Sequence, residues 1–350
     1  GNIDDATDGV VPNRVHWCAI NDPTDWPTIG SSDAAQKQSD RQDLKSGLSV
    51  QAIIGAVGGA DGAIFMRNSV FRVSYVGAPL VFEFKEVERG RGTIASQSVV
   101  NVGAFAFYLA EQGFFVFNGS TSQAIGNQKV DKFFFADLDF NYIHRITAAQ
   151  DPVNKLVYWS YPGADNIDGR PNKVIIYNWE IGRWSYGEIT ADLIFTDTSP
   201  GYTMDNIDGF GNIDAIDTTF DDRFWVGGLS SLSAFNSAHR LSTFTGSALA
   251  TTLTTTEFGG MELFSKPNER LYVNGVRPYV DGGTITVELD YRDSPSGSVT
   301  TDGPNSVDAN GTAHFTRSCR YARATIKVAA GGTWTHAQGV DLDVSEDGTS

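Results

Sequence analysis

Apolar positions along this chain come in short bursts cut by glycine, asparagine and proline, not in the sustained i, i+3, i+4 spacing of amphipathic helices. Residues 63–84 (AIFMRNSVFRVSYVGAPLVFEF) alternate around Arg67-Asn68 and Gly77-Ala78-Pro79, which predicts three strands and two turns. Residues 99–117 repeat the scheme: VVNVGAFAFYL, then Glu111-Gln112-Gly113, then FFVF closed by Asn118-Gly119. Asparagine and glycine both tolerate positive φ, so that last turn has a mechanical reason. Residues 155–161 and 173–179 form another pair, 183–186 follow a turn at Gly182, and 223–226 with 233–235 supply one more. The best helix candidate is 131–146, although FFF and β-branched residues work against it. Residues 31–44 are polar, lack an apolar period and read as a surface excursion.

These units recur about every 40–50 residues, each with short strands, an aromatic at a strand end and a glycine-bounded turn. A β-propeller blade has that period, because a single four-stranded blade cannot bury its face until neighbours stack on it. An irregular sandwich with even spacing is the alternative for 10–246. Near Gly246 the composition shifts: 247–256 are rich in alanine and threonine, and further strand segments follow, FGGMELF among them. The strict alternation of 284–291 (TITVELDY) puts one face in a core and one in water. No stretch reads as a βαβ crossover. The expected fold is therefore all-β, with a β-propeller-like domain of four-stranded blades over 1–246 and an antiparallel β-sandwich over 247–350. The opening Gly1-Asn2-Ile3 lacks Met, and 10–17 read as the middle of a fold, so a fragment short of its N-terminal part is expected.

Composition narrows the chemistry. The 350 residues carry 42 acidic and 26 basic side chains, a net charge of −16, which disfavours a protein that grips phosphates without regard to sequence. No apolar run approaches the ~20 residues of a membrane-spanning helix. Cys18 and Cys319, far apart, read as two free thiols rather than a disulfide framework. No GxxxxGK or GxSxG motif is present, and the glycine-rich 55–62 lacks GxGxxG spacing and leads into strands, so it reads as a turn. His16, His144, His239, His314 and His336 are scattered, and Ser345-Glu346-Asp347-Gly348 departs from a sialidase-type Asp box. No residue is nominated as catalytic, and an enzyme is not expected.

Three features have two readings each. The stretch MDNIDGFGNIDAIDTTFDD holds Asp205, Asp208, Asp214, Asp217, Asp221 and Asp222. The first four are candidate ligands for Ca²⁺, which takes six to eight oxygens, but the spacing of three suits structural turns better than D-x-D-x-D-G. Arg89-Gly90-Arg91-Gly92 is a basic spot that reads as a charged turn or a nucleic-acid contact. Trp17, Trp26, Trp159, Trp179, Trp184, Trp225 and Trp334 fall mostly at strand ends inside apolar runs, where aromatics fill a core; the other reading is a set that stacks on sugars.

Several phrases resemble a bacteriophage tail protein family: PNRVHWCAINDPTDWP (12–27), SVFRVSYVG (69–77), QGFFVFNGSTSQAIGNQKVDKFF (112–134), AAQDPVNKLVYWSYP (148–162), NIDGFGNIDAIDTTFDDRFWVGG (206–228), AFNSAHRLSTFTG (234–246) and RYARATIKVAAGGTWTHAQGVDLDV (320–344). Its best-known members are the tail nozzles of short-tailed phages, also called packaged-DNA stabilisation or tail tubular proteins. The resemblance spans nearly the whole chain and marks a structural family with no active site. It implies a propeller with added β-domains, a hexameric ring in the phage virion, and attachment below the head-to-tail adaptor ring, with fibres or spikes nearby. DNA would pass through the channel without sequence-specific binding; the ring would retain the packaged genome and open during ejection. Assembly in the host bacterial cytoplasm agrees with reduced cysteines, and an acidic wall lets DNA slide. Family members usually carry more chain before the RVxW motif, which here is Arg14-Val15-His16-Trp17. Two other readings stand beside this one: a carbohydrate-binding or carbohydrate-degrading propeller, and an adaptor that docks fibres or a receptor.

Overall fold

The computed structural model describes residues 1–5, 8–59, 61–198, 227–228, 230–244, 248–265 and 269–348. Strands hold 51% and helices 9%, so the protein is all-β. It divides into two compact units, Gly1–Phe244 and Thr245–Ser350.

The first unit is a series of antiparallel meanders. A short hairpin of Ile3–Asp5 and Gly9–Val11 comes first, followed by the pair Arg14–Trp17 and Asp40–Asp43, the N-terminal hairpin. Sheet A follows (Val50–Ile54, Gly62–Met66, Ser69–Gly77, Val81–Arg89), then sheet B (Val100–Val102, Phe105–Ala110, Gly113–Phe117, Ser122–Ala124). Sheet C is Thr147–Asp151, Leu156–Tyr161, Lys173–Asn178 and Arg183–Glu188. Sheet D has three described strands, Leu193–Thr198, Ser230–Phe235 and Leu241–Thr243. Sheets A, B and C are thus four-stranded with every strand beside its sequence neighbour, the construction of a propeller blade. The first strand of sheet C packs against the first strands of B and D.

Burial explains why the strand sequences are apolar runs rather than clean alternations. Sheet B is covered on both sides: Ala106, Tyr108 and Ala110 join Ala63 and Phe65 of sheet A, while Phe107 and Leu109 join Val157, Trp159 and Tyr161 of sheet C. On sheet A the neighbouring Ile64 and Met66 turn the other way, toward Val15 and Leu44 of the N-terminal hairpin. Ala149 on the far face of sheet C meets Ile194 and Ala234 of sheet D. A strand buried on both faces has no reason to carry a polar side.

The expected helix 131–146 is corrected to Lys129–Asp137, and Phe140–Arg145 form a separate 3₁₀ stretch. Leu138 between them is extended (ψ 129°) and buries its side chain in the core between sheets B and C. The helix is anchored by Asp131, whose carboxylate accepts from Gln128 N and from Phe114 N, both at 3.0 Å. A Cβ on Gly126 or Gly113 would stand 1.9 or 2.1 Å from that carboxylate, so both positions require glycine. Residues 31–44 contain a short helix, Ser32–Gln36, besides the strand that pairs with Arg14–Trp17. Glycines of 55–59 belong to the link between the first two strands of sheet A, with Val57 buried.

The second unit is a sandwich of two antiparallel sheets. One contains Thr251–Thr254, Phe258–Gly259, Ile285–Arg292, Thr300–Ser306 and Tyr321–Val328; the other contains Leu271–Val280, Ala313–Cys319 and Ala337–Glu346. Val287, Leu289, Ala322, Ala324 and Ile326 meet Leu271, Val273, Val276 and Phe315 between them. FGGMELF is only briefly a strand, because Gly260–Phe264 turn helical, with Glu262 accepting from Gly259 N at 2.9 Å.

Candidate functional site

Asp205, Asp208, Asp214, Asp217, Asp221 and Asp222 lie outside the described residues, as do Trp225 and the strand expected at 223–226. Among the described residues no three His, Cys, Asp or Glu side chains stand together as metal ligands. His239, His314 and His336 each face one carboxylate, of Asp192, Asp308 and Asp281. His16 is edge-on to Trp26, and burial, with Arg41 nearby, lowers its pKa.

Charges that sequence alone left open are neutralised locally. Arg89 pairs with Glu86 at 2.6 Å, and Arg91 pairs with Glu88 at 2.7 Å while lying over the Phe115 ring. The basic spot is a charged turn. Arg14 of the RVxW motif is buried, held by Asp43 at 2.7 and 2.9 Å, Asp8 at 2.7 Å and Asp5 at 3.0 Å. The bonds it donates to Asp43 and then Asp8 raise its pKa further, so it is a fixed cation joining the first residues to the hairpin. In the second unit a groove of about 350 Å³ is lined by Glu257, Asp290, Tyr291, Arg292 and Arg323. Its charges cancel in pairs, Arg292–Glu257 at 2.5 Å and Arg323–Asp290 at 2.6 Å.

A second polar cluster, unsuspected from sequence, surrounds Lys173. Its ammonium donates to Asp137 at 2.7 Å and contacts Asp165 at 2.8 Å, and the Tyr161 hydroxyl donates to Asp137 at 3.0 Å. Burial pulls the lysine pKa down, but the bonds to Asp137 and Asp165 outweigh it and leave the pKa raised. Burial, then Asp137, pushes Tyr161 up as well. Both shifts move away from neutrality: the lysine stays charged and the phenol stays protonated. Such a group is a structural clamp and a poor proton shuttle, since general acid–base work needs a pKa near the ambient pH.

The tryptophans are mostly structural. Trp159 is fully buried with its indole N–H on Ser98 O at 2.9 Å; Trp17 and Trp184 donate to Gln38 O and Ile125 O. Among the described tryptophans Trp26 is the exposed one, at 54%, and its N–H is taken by Pro23 O.

An apolar recess of about 350 Å³ opens beside the helix Lys129–Asp137, lined by Lys129, Phe133, Ile175, Trp184 and Tyr186 among others. Tyr186 and Phe133 are 43% and 48% exposed and meet edge to face at 5.3 Å. Two sequence signals mark it in retrospect. In RWSYGE alternation puts Trp184 and Tyr186 on one side, and in FFF helical spacing turns Phe134 inward and Phe133 out. Arg183–Glu188 is also the last strand of sheet C, with no strand on its outer side among the described residues.

Compared with protein-family models and with curated proteins, the chain matches none.

Proposed function

We propose that the protein is a structural component of a phage tail, a nozzle that assembles as a ring, closes its serial meanders into a propeller, and gives DNA an acidic passage. The observation that carries this reading is where the family-like phrases fall. Arg14 of the RVxW phrase is clamped by three aspartates; Phe114, Asp131 and Phe134 of the QGFFVF…VDKFF phrase join sheet B to the helix; Trp159 of the KLVYWSY phrase fills the core between B and C. Residues that build joints between repeated sheets are what a scaffold family has to share, whatever its partners. The −16 charge on each copy repels phosphates, which suits passage of DNA rather than grip.

Electron microscopy of the purified chain, with and without a head-to-tail adaptor ring, tests the reading. A closed ring with an axial channel that docks on the adaptor is the expected result, six-fold if the implied symmetry holds. A monomer that ignores the adaptor overturns it and directs attention to glycan arrays and hydrolysis assays.

A further inference from the structure

Among the apolar surfaces that the described residues of the first unit expose, two bear on assembly. One protrudes: the hairpin Ser69–Gly77 and Val81–Arg89 ends in YVGAPL, where Tyr75, Val76 and Leu80 are 58%, 49% and 72% exposed. Its stem is braced by Phe82 against Trp17 at 5.3 Å and against Tyr75 at 5.8 Å, so the tip is carried on packed aromatics. The other is the concave recess of Phe133, Trp184 and Tyr186. The two share no residue and belong to different sheets.

We infer that the hairpin tip of one copy seats in the aromatic recess of the next copy. This rests on the ring reading above and assigns its contact. Charge supports a second copy as the occupant. Lys129, in the recess lining, and Lys132, one turn along the helix, are exposed, and their ammonium groups have no carboxylate or hydrogen-bond partner among the described residues. Glu83, just beyond the tight turn in which Phe82 N donates to Leu80 O, is likewise exposed and its carboxylate is unpaired among the described residues, with the exposed Lys85 two positions further from the tip. Insertion of the tip brings this carboxylate, which stands nearer the tip than Lys85 does, toward the two ammonium groups, so an apolar knob with a carboxylate at its base meets an apolar hole with a basic rim. Exposed apolar patches rimmed by charge are what association surfaces look like. A contact between two different patches of the same chain is head-to-tail, and such contacts close into rings when the rotation allows.

The test uses the full chain in three forms: wild type, Leu80→Asp, and Lys129→Glu with Lys132→Glu. The altered side chains are exposed, and each variant is expected to keep the wild-type thermal transition. By mass photometry the wild type forms multimers and each variant alone is monomeric, its self-association weakened at least tenfold. The decisive arm mixes the two variants. One retains a recess and the other a tip, so the mixture gives dimers of one copy of each and nothing larger. Adding Glu83→Lys to the double-lysine variant restores multimers. Multimers that survive both variants overturn the contact and leave the ring reading standing; if immobilised glycans then bind the wild type but not the lysine variant, the recess has a foreign occupant. A wild-type chain that stays monomeric at micromolar concentration removes the ring reading and the contact together.

Discussion

The Thr196 side chain is bonded twice to one backbone residue, Gln150: its hydroxyl accepts from Gln150 N and donates to Gln150 O, each at 2.9 Å. Thr196 lies on the first strand of sheet D and Gln150 on the first strand of sheet C. The hydroxyl therefore stitches together two strands of different sheets. One strand-turn along, Thr147 Oγ1 reciprocates by accepting from Ile194 N at 3.3 Å. Serial sheets need such links, because the first strands of neighbouring sheets share no ladder.

Replacing Thr196 by valine keeps the shape and leaves a half-buried donor and acceptor without partners. The expected loss is about 1–3 kcal/mol, read as a lower urea midpoint. The Gln150 amide should lose hydrogen-exchange protection in the same variant. Unchanged protection at Gln150 would mean that the stitch carries no stability.

Asp131→Ala removes the acceptor of both Gln128 N and Phe114 N and should cost about 2 kcal/mol, the scale of a lost cap with a second orphaned donor. Gly126→Ala should be comparably harmful, since its Cβ collides with the same carboxylate. The informative measurement is the double variant. If the collision is the cause, Gly126→Ala costs much less once Asp131 has been truncated, and strict additivity would point elsewhere.

Lys173→Met should destabilise by about 1–3 kcal/mol, less than for a fully enclosed ion pair because Asp165 is 69% exposed and rehydrates. Its pH dependence follows from the directions of the shifts. The folded-state lysine pKa is raised, so its contribution is complete below the ordinary lysine value of about 10.4 and is lost as pH climbs past it. Asp165 is lowered, by its bonds from Lys173 and then Asn172, so its share is complete above the ordinary carboxylate value of about 3.9 and is lost in stronger acid. Melting curves of wild type and variant should stay a constant distance apart from pH 6 to 9. A gap that widens or closes inside that window contradicts the clamp.

Cys18 and Cys319 are both free thiols, but they differ in access. Cys319 is fully buried between the sheets of the second unit, and burial, with Asp293 as a lesser cause, pushes its thiol up to about 11. At pH 8 its thiolate is then about one part in a thousand. A chromogenic disulfide reagent should titrate half-buried Cys18 promptly and Cys319 only on unfolding. Two equally fast thiols in the native protein would be incompatible with the packing of the strand Ala313–Cys319.

The repeated apolar bursts, the positive-φ turns and the alternation of 284–291 were enough to read an all-β chain of antiparallel hairpins. These are local properties: alternation follows from the pleat, and a turn from the few residues that tolerate its dihedrals. The acidic balance and the scarcity of catalytic spacing were equally plain in composition. What tertiary structure alone decided is which neighbour each face meets. In FAFYLA every side chain is apolar, so nothing in the string tells that Ala106, Tyr108 and Ala110 turn to sheet A while Phe107 and Leu109 turn to sheet C. The same holds for the polar joints. Asp131 with Phe114, Lys173 with Asp137, Thr196 with Gln150 and Arg14 with Asp43 join residues 17 to 46 positions apart. Among 42 acids, partners are chosen by how sheets stack and not by spacing along the chain. The aromatic recess exists only because a helix and a sheet edge, distant in sequence, leave Phe133 and Tyr186 side by side at the surface.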